Sequence, residues 1–157
     1  MEVKTDINKI FEEYSDMVYR LAFARVKNCY DADDVLQEVF LRFLKVKKKP
    51  VSSEHTKALL IRMTINCSKT WLTSPFKTRT AALSEDIPYT DGTKDTLDAV
   101  LRLPLKYRTV IHLHYYCGYK VEEIAEILSA KPSTVKSQLK RAREKLKNEL
   151  EGVEFDV

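Results

Sequence analysis

Glycine and proline are scarce in this chain, three and five of 157 residues, and the scarcity removes most of the turn punctuation that an all-β sandwich or barrel needs. No stretch approaches the ~18 consecutive apolar residues of a membrane span, so no membrane insertion is expected. The opening residues, with Glu2 and Asp6 early, lack the basic and apolar blocks of a secretory leader; the expected location is the cytoplasm. Cysteine is sparse as well. Cys29, Cys67 and Cys117 are odd in number and widely separated, which suits reduced thiols rather than a disulfide framework. Neither a glycine-rich phosphate loop nor a Gly-x-Ser-x-Gly elbow occurs, so no catalytic residue and no enzymatic activity are expected. The nearest approach to a metal cluster is His112-x-His114-x-x-Cys117. On a helix its two histidines point in nearly opposite directions, and His114 with Cys117 alone makes no stable zinc site. Packing is the expected role of all three, with no metal and no cofactor, and Gly118 is expected to cap the helix C-terminus.

What is present is abundant Leu, Lys and Glu, a composition for helix, on a length that buries one moderate core or two small ones. Charge is uneven: net +3 over residues 1–73, −2 over 74–98 and +3 over 99–157. From Ser74 to Asp95 no hydrophobic period is sustained, and the text is rich in Ser, Thr, Pro and Asp. That span reads as a flexible linker. Its basic start, Lys77 and Arg79, suits either a nucleic-acid contact or a solvated loop. The expected architecture is therefore all-α, two small helical domains (1–73 and 97–151) joined by a linker (74–96).

The C-terminal part carries the densest signal. Val121, Ile124, Ala125 and Leu128 form one helical stripe, opened by Glu122 and Glu123 where carboxylates face first-turn amides. The stripe breaks at Ser129-Ala130-Lys131-Pro132, and proline at a first helical position starts a second helix. In that helix Val135, Leu139, Ala142 and Leu146 recur at i, i+4, i+7 and i+11 and dock on the first. At about 100° per residue, Ser133, Ser137, Lys140, Arg141 and Glu144 project outward, flanked by Lys136 and Arg143 on one side and Thr134 and Lys145 on the other. Lys131 to Lys147 holds seven basic residues and one acid, a net +6. Two packed helices, the second strongly basic, form a helix-turn-helix pattern for the DNA major groove, against the alternative of a merely solvated basic face.

Three helices are expected ahead of the linker. The first carries the stripe Ile7, Ile10, Phe11, Tyr14, Val18 and Leu21, with Asp6 as cap. The second starts near a capping Asp31, and its apolar arc of Val35, Leu36, Val39, Phe40, Phe43 and Leu44 is broad for a surface helix. Asp34, Gln37, Leu41 and Leu44 form one edge of mixed polarity, as a partner-binding helix would have; an over-hydrophobic bundle helix reads the same way. The third runs from a capping Ser53 to Leu72, with Leu59, Leu60, Ile61, Met63 and Ile65 in the core and Arg62, Asn66 and Lys69 on one outward line. Trp71 reads as packing.

The runs Leu103 to Val110, Gly118-Tyr119, Glu123 to Leu128, Thr134 to Ser137 and Arg141 to Leu146 closely resemble the C-terminal domain of bacterial extracytoplasmic-function sigma factors. The run Asp31 to Arg42 is similar to the core-binding helix of that family's N-terminal domain. The resemblance implies a sigma factor with two partners, core RNA polymerase and promoter DNA, and an anti-sigma factor beside them, as many members have. It implies that Asp34, Gln37, Glu38, Leu41 and Leu44 grip a coiled coil on the largest polymerase subunit. It implies that Lys47, Lys48, Lys49, Arg62, Asn66 and Lys69 serve the minus-ten element, where a flipped base is held. Thr56, Lys57 and Leu59 stand where the family often has aromatics. Ser133, Thr134, Lys136, Ser137, Lys140, Arg141 and Arg143 are the residues expected on the minus-thirty-five element. Two departures are visible in the helix-turn-helix, Lys120 for a capping Ser and Ser129 for the turn's Gly. The alternatives are a stand-alone helix-turn-helix repressor or activator, which binds duplex DNA without polymerase, and a helical adaptor with no DNA role.

Overall fold

The computed structural model describes residues 7–73 and 91–150, with the side chains of 91–95 left aside, and the chain divides into two compact units, Met1–Leu83 and Ser84–Val157. All regular structure among the described residues is helical.

The first unit is a three-helix bundle of α1 (Ile7–Val26), α2 (Cys29–Lys45) and α3 (Ser53–Thr73), each packed on the other two. Val18, Leu21, Val35, Val39, Phe43, Leu60 and Ile61 are fully buried at its centre. Arg25, Thr64 and Ser68 are polar residues buried in this core, and each is bonded. Arg25 Nε donates to Ser68 Oγ between α1 and α3, and Thr64 Oγ1 donates to the carbonyl of Leu60. Tyr14 OH donates to the carbonyl of Ser53 at 3.2 Å, tying α1 to the start of α3.

The caps of α2 and α3 both lie earlier than the sequence suggests. Lys27 takes a left-handed backbone, φ 63°, closing α1 through its N–H to the carbonyl of Phe23. Asn28 then caps α2, its Oδ1 accepting from Tyr30 N at 2.9 Å and Asp31 N at 3.1 Å. Asp31 is therefore a first-turn residue rather than the cap. Likewise Ser52, not Ser53, caps α3, with Oγ accepting from His55 N at 3.2 Å. The expected cap Asp6 lies outside the described residues.

The second unit contains α4 (Asp91–Arg102), α5 (Leu105–Ile111) running into a π-helical turn (His112–Tyr116), α6 (Val121–Leu128) and α7 (Pro132–Glu149). Helix α7 packs on α4, α5 and α6. Val110, Leu113, Ile124, Val135, Leu139 and Ala142 are fully buried between them. Of the span read as linker, residues 91–96 are helical, and residues 74–90 lie outside the described residues. Arg108 is buried, and its Nη1 donates to the carbonyl of Leu103 at 2.7 Å where α4 ends. Burial holds this guanidinium below its ordinary pKa.

The turns around α6 follow the sequence. Gly118 has φ 80° and ends the preceding helix. Lys120 offers no side-chain acceptor, yet its backbone N–H is taken by Glu123 Oε1 at 2.9 Å, half of a capping box. Ser129 adopts φ 53° and ψ 45°, a left-handed conformation that costs a side chain about 1 kcal/mol relative to Gly. Ser129→Gly is accordingly expected to stabilise the second unit by up to about 1 kcal/mol, read as a higher melting temperature of the full chain. An unchanged or lower value would show that the Ser hydroxyl compensates the strain.

Candidate functional site

Three groups of candidate residues lie at the surface, one in the second unit and two in the first. On α7, Val135, Leu139, Ala142 and Leu146 face inward and are buried. The opposite side is thereby turned to solvent: Ser133, Thr134, Lys136, Ser137, Lys140 and Arg141 are all exposed. Pro132 occupies the first turn, so short hydroxyl side chains stand at the helix N-terminus and long cations follow. A groove-entering helix has this order, with small groups able to approach base edges and cations reaching flanking phosphates. Arg143 is half-buried, and its Nε donates to Tyr115 OH at 3.0 Å. That contact is not visible in the sequence, where Tyr115 lies 28 residues away.

On α2 the inward face is Ala32, Val35, Val39, Phe40 and Phe43. Asp34, Gln37, Glu38, Leu41 and Leu44 are all exposed. Leu41 and Leu44 keep 54% and 50% of their surface in solvent, so Leu44, expected in both the apolar arc and the edge, belongs to the edge. Two adjacent exposed leucines flanked by an acid and an amide form a surface whose apolar area a partner can cover. Glu38 Oε1 accepts from Arg42 Nε at 2.8 Å, a pair along the same helix. Phe11 of α1 meets Phe40 edge-on at 4.9 Å, beside this edge.

The third group divides. Arg62, Asn66 and Lys69 line the exposed side of α3, and Lys47 and Lys48 are exposed in the loop before it. Lys49 turns back instead. Its Nζ donates to the carbonyls of Val46 at 2.7 Å and Leu44 at 3.2 Å, where α2 leaves carbonyls without helical partners, and it lies 5.7 Å from the Phe43 ring centre. Thr56 is buried, with Oγ1 bonded to the carbonyl of Ser52; Lys57 and Leu59 are half-buried. Val51 is fully exposed, a loop residue that periodicity does not single out because a lone apolar residue has no period.

His112, His114 and Cys117 go separate ways. The His112 ring lies against Tyr116 at 4.8 Å, His114 Nδ1 is 2.9 Å from the carbonyl of Tyr119, and Cys117 is buried. Burial pushes the thiol of Cys67 up from its ordinary pKa, partly offset by Arg42. Among the described residues no helix is long and apolar enough to cross a membrane.

Residues 10–74 match the family model of Sigma-70 region 2 and residues 94–146 that of Sigma-70, region 4. RNA polymerase sigma factor SigV of Bacillus subtilis is 34% identical over 131 residues, which cover 79% of this chain and 78% of that protein. ECF RNA polymerase sigma factor SigW of the same organism is 27% identical, covering 90% of this chain and 87% of its own length. The fold is also that of the sigma factor RpoE solved in complex with the anti-sigma factor NepR from Bartonella quintana. That likeness has a TM-score of 0.75 at 18% identity and covers 94% of this chain and 98% of that one.

Proposed function

We propose, from the premise that this chain belongs to the extracytoplasmic-function group of the sigma-70 family of RNA polymerase sigma factors, that its two helical units divide promoter-specific initiation between them. Residues 1–73 act as region 2 and residues 97–151 as region 4, with 74–96 between. The α2 edge of Asp34, Gln37, Glu38, Leu41 and Leu44 binds core RNA polymerase. Lys47 and Lys48, with Arg62, Asn66 and Lys69, attend the minus-ten element during strand opening. The α7 face of Ser133, Thr134, Lys136, Ser137, Lys140, Arg141 and Arg143 reads the minus-thirty-five element in duplex DNA. The chain itself makes and breaks no covalent bond, works in the cytoplasm where its polymerase is, and has an anti-sigma factor as a further partner.

One observation carries this reading: an exposed edge of mixed polarity on α2 stands in one unit, and a basic, solvent-facing α7 in the other. A repressor that binds duplex DNA alone has no use for the first of these. The deciding experiment adds the full chain to core polymerase stripped of sigma factors, with a pool of bacterial promoter fragments, and sequences the transcripts. Stoichiometric association with core enzyme and initiation from a restricted promoter set are expected. A protein that shifts duplex DNA by itself and never associates with core enzyme would instead be the repressor.

A further inference from the structure

The π-helical turn His112–Tyr116 leaves Tyr115 and Tyr116 44% and 48% exposed. Such turns insert one residue into a helix and recur at functional positions because they re-aim side chains that α geometry would place elsewhere. Here the turn brings the Tyr115 hydroxyl within 3.0 Å of Arg143 Nε on α7. The tyrosine is itself held: its ring meets His114 edge-on at 4.8 Å, and His114 Nδ1 is 2.9 Å from the carbonyl of Tyr119. Fixed contacts therefore run from the turn before α6 to the guanidinium on the basic helix.

Arg143 does not stand alone on α7. Lys136, Lys140, Arg143 and Lys147 follow at spacings of four, three and four, one cationic row along a flank of the helix. A row of that kind suits a strand of phosphates. An unrestrained arginine side chain loses rotamer freedom when it binds, whereas one already held at Nε keeps its two terminal nitrogens as a fork directed away from the tether. That fork matches two oxygens of one phosphate.

We propose that Tyr115 is a positioning residue for DNA, its hydroxyl holding Arg143 so that the guanidinium fork meets the phosphate backbone beside the minus-thirty-five element. The proposal rests on the reading of α7 as the helix that contacts promoter DNA. Tyr115 acts through Arg143 and needs no base contact of its own, so its effect is on affinity rather than on sequence preference.

The test uses holoenzyme assembled from the full chain, a promoter fragment recovered by the transcript sequencing above, and dissociation constants measured across a range of salt. Tyr115→Phe keeps the ring and its packing on His114 and removes only the hydroxyl. It is expected to weaken promoter binding about two- to tenfold with base preference unchanged. Arg143→Ala is expected to weaken it further and to lower the slope of log affinity against log salt by about 1, because one phosphate is no longer neutralised. In the Arg143→Ala background, Tyr115→Phe should add nothing. If removing the hydroxyl costs the same in both backgrounds, it acts by another route; the positioning role is overturned and the reading of α7 stands. If Arg143→Ala leaves affinity and salt slope unchanged, Arg143 touches no phosphate and the proposal fails. Should Lys140→Ala leave them unchanged too, the reading of α7 fails with it. Thermal melts of each variant separate these results from a folding defect.

Discussion

Leu41→Asp is expected to lower the affinity of the full chain for core RNA polymerase about a hundredfold or more, the size of a hot-spot loss at a protein interface. Leu41 is 54% exposed in the free protein and Leu44 50%, so their apolar area is available to a partner and little of the fold depends on them. A carboxylate placed there remains hydrated in the free chain. In the complex it would be buried against the partner without a counter-charge, and the cost of desolvation adds to that of the missing apolar side chain. Leu44→Asp should act in the same direction, and Gln37→Ala more weakly, since it removes a polar side chain without introducing a charge. The measurement is a titration of labelled protein with core enzyme, after circular dichroism and thermal melting have established an intact bundle. Wild-type affinity in a folded Leu41→Asp variant would remove the α2 edge from the interface.

The α2 edge is legible in the sequence because its signal is a conflict. A leucine at position 41 breaks the helical period that buries Val35, Val39 and Phe43, and only a partner or plain solvent exposure explains it. The helix-turn-helix is legible for the opposite reason. Val135, Leu139, Ala142 and Leu146 obey the period and are all buried, and Pro132 marks the start that the structure has. Positions decided by competition between equivalent local choices are less legible. Asn28 and Asp31 are both good caps, and the left-handed residue Lys27, set by where α1 ends, selects the first. Ser52 and Ser53 pose the same choice one residue apart.

Other features depend on contacts distant in sequence or on backbone register, and no side-chain period reports them. The π-helical turn at His112–Tyr116 differs from an α-helix by the register of its hydrogen bonds alone. Buried Arg108 runs against the general exposure of arginine and is tolerated because a carbonyl at the end of α4 accepts from it. Lys49 reads, with its two neighbours, as a cation for DNA, whereas its stem is long enough to fold back on the carbonyls of α2. A run of three lysines does not reveal which of them is recruited to the chain's own helix end. The break between α4 and α5 lies at Leu103-Pro104, where a residue before proline avoids helical backbone; that signal is present, but each helix beside it is short.

The converse result is expected from the second unit. Lys140→Ala and Arg141→Ala should each weaken promoter binding by holoenzyme about tenfold to a hundredfold where the truncated side chain reads a base, and leave association with core enzyme unchanged. Both residues are exposed on α7, so truncation opens no cavity and the unit should melt as the wild type does. Base-reading and phosphate-binding side chains separate by their signatures. Removing one that reads a base relaxes promoter choice at one or two positions, since discrimination depends on the matched donor pattern. Removing one that binds phosphate weakens all promoters alike and makes the salt dependence shallower by about one counterion. Transcript sequencing with each variant, together with dissociation constants across a range of salt, assigns Lys140 and Arg141 to one kind or the other. The pairing with Leu41→Asp makes the division of labour testable as a whole. If the α2 and α7 substitutions impaired core binding and promoter binding equally in folded protein, the two units would not be acting as separate binding surfaces.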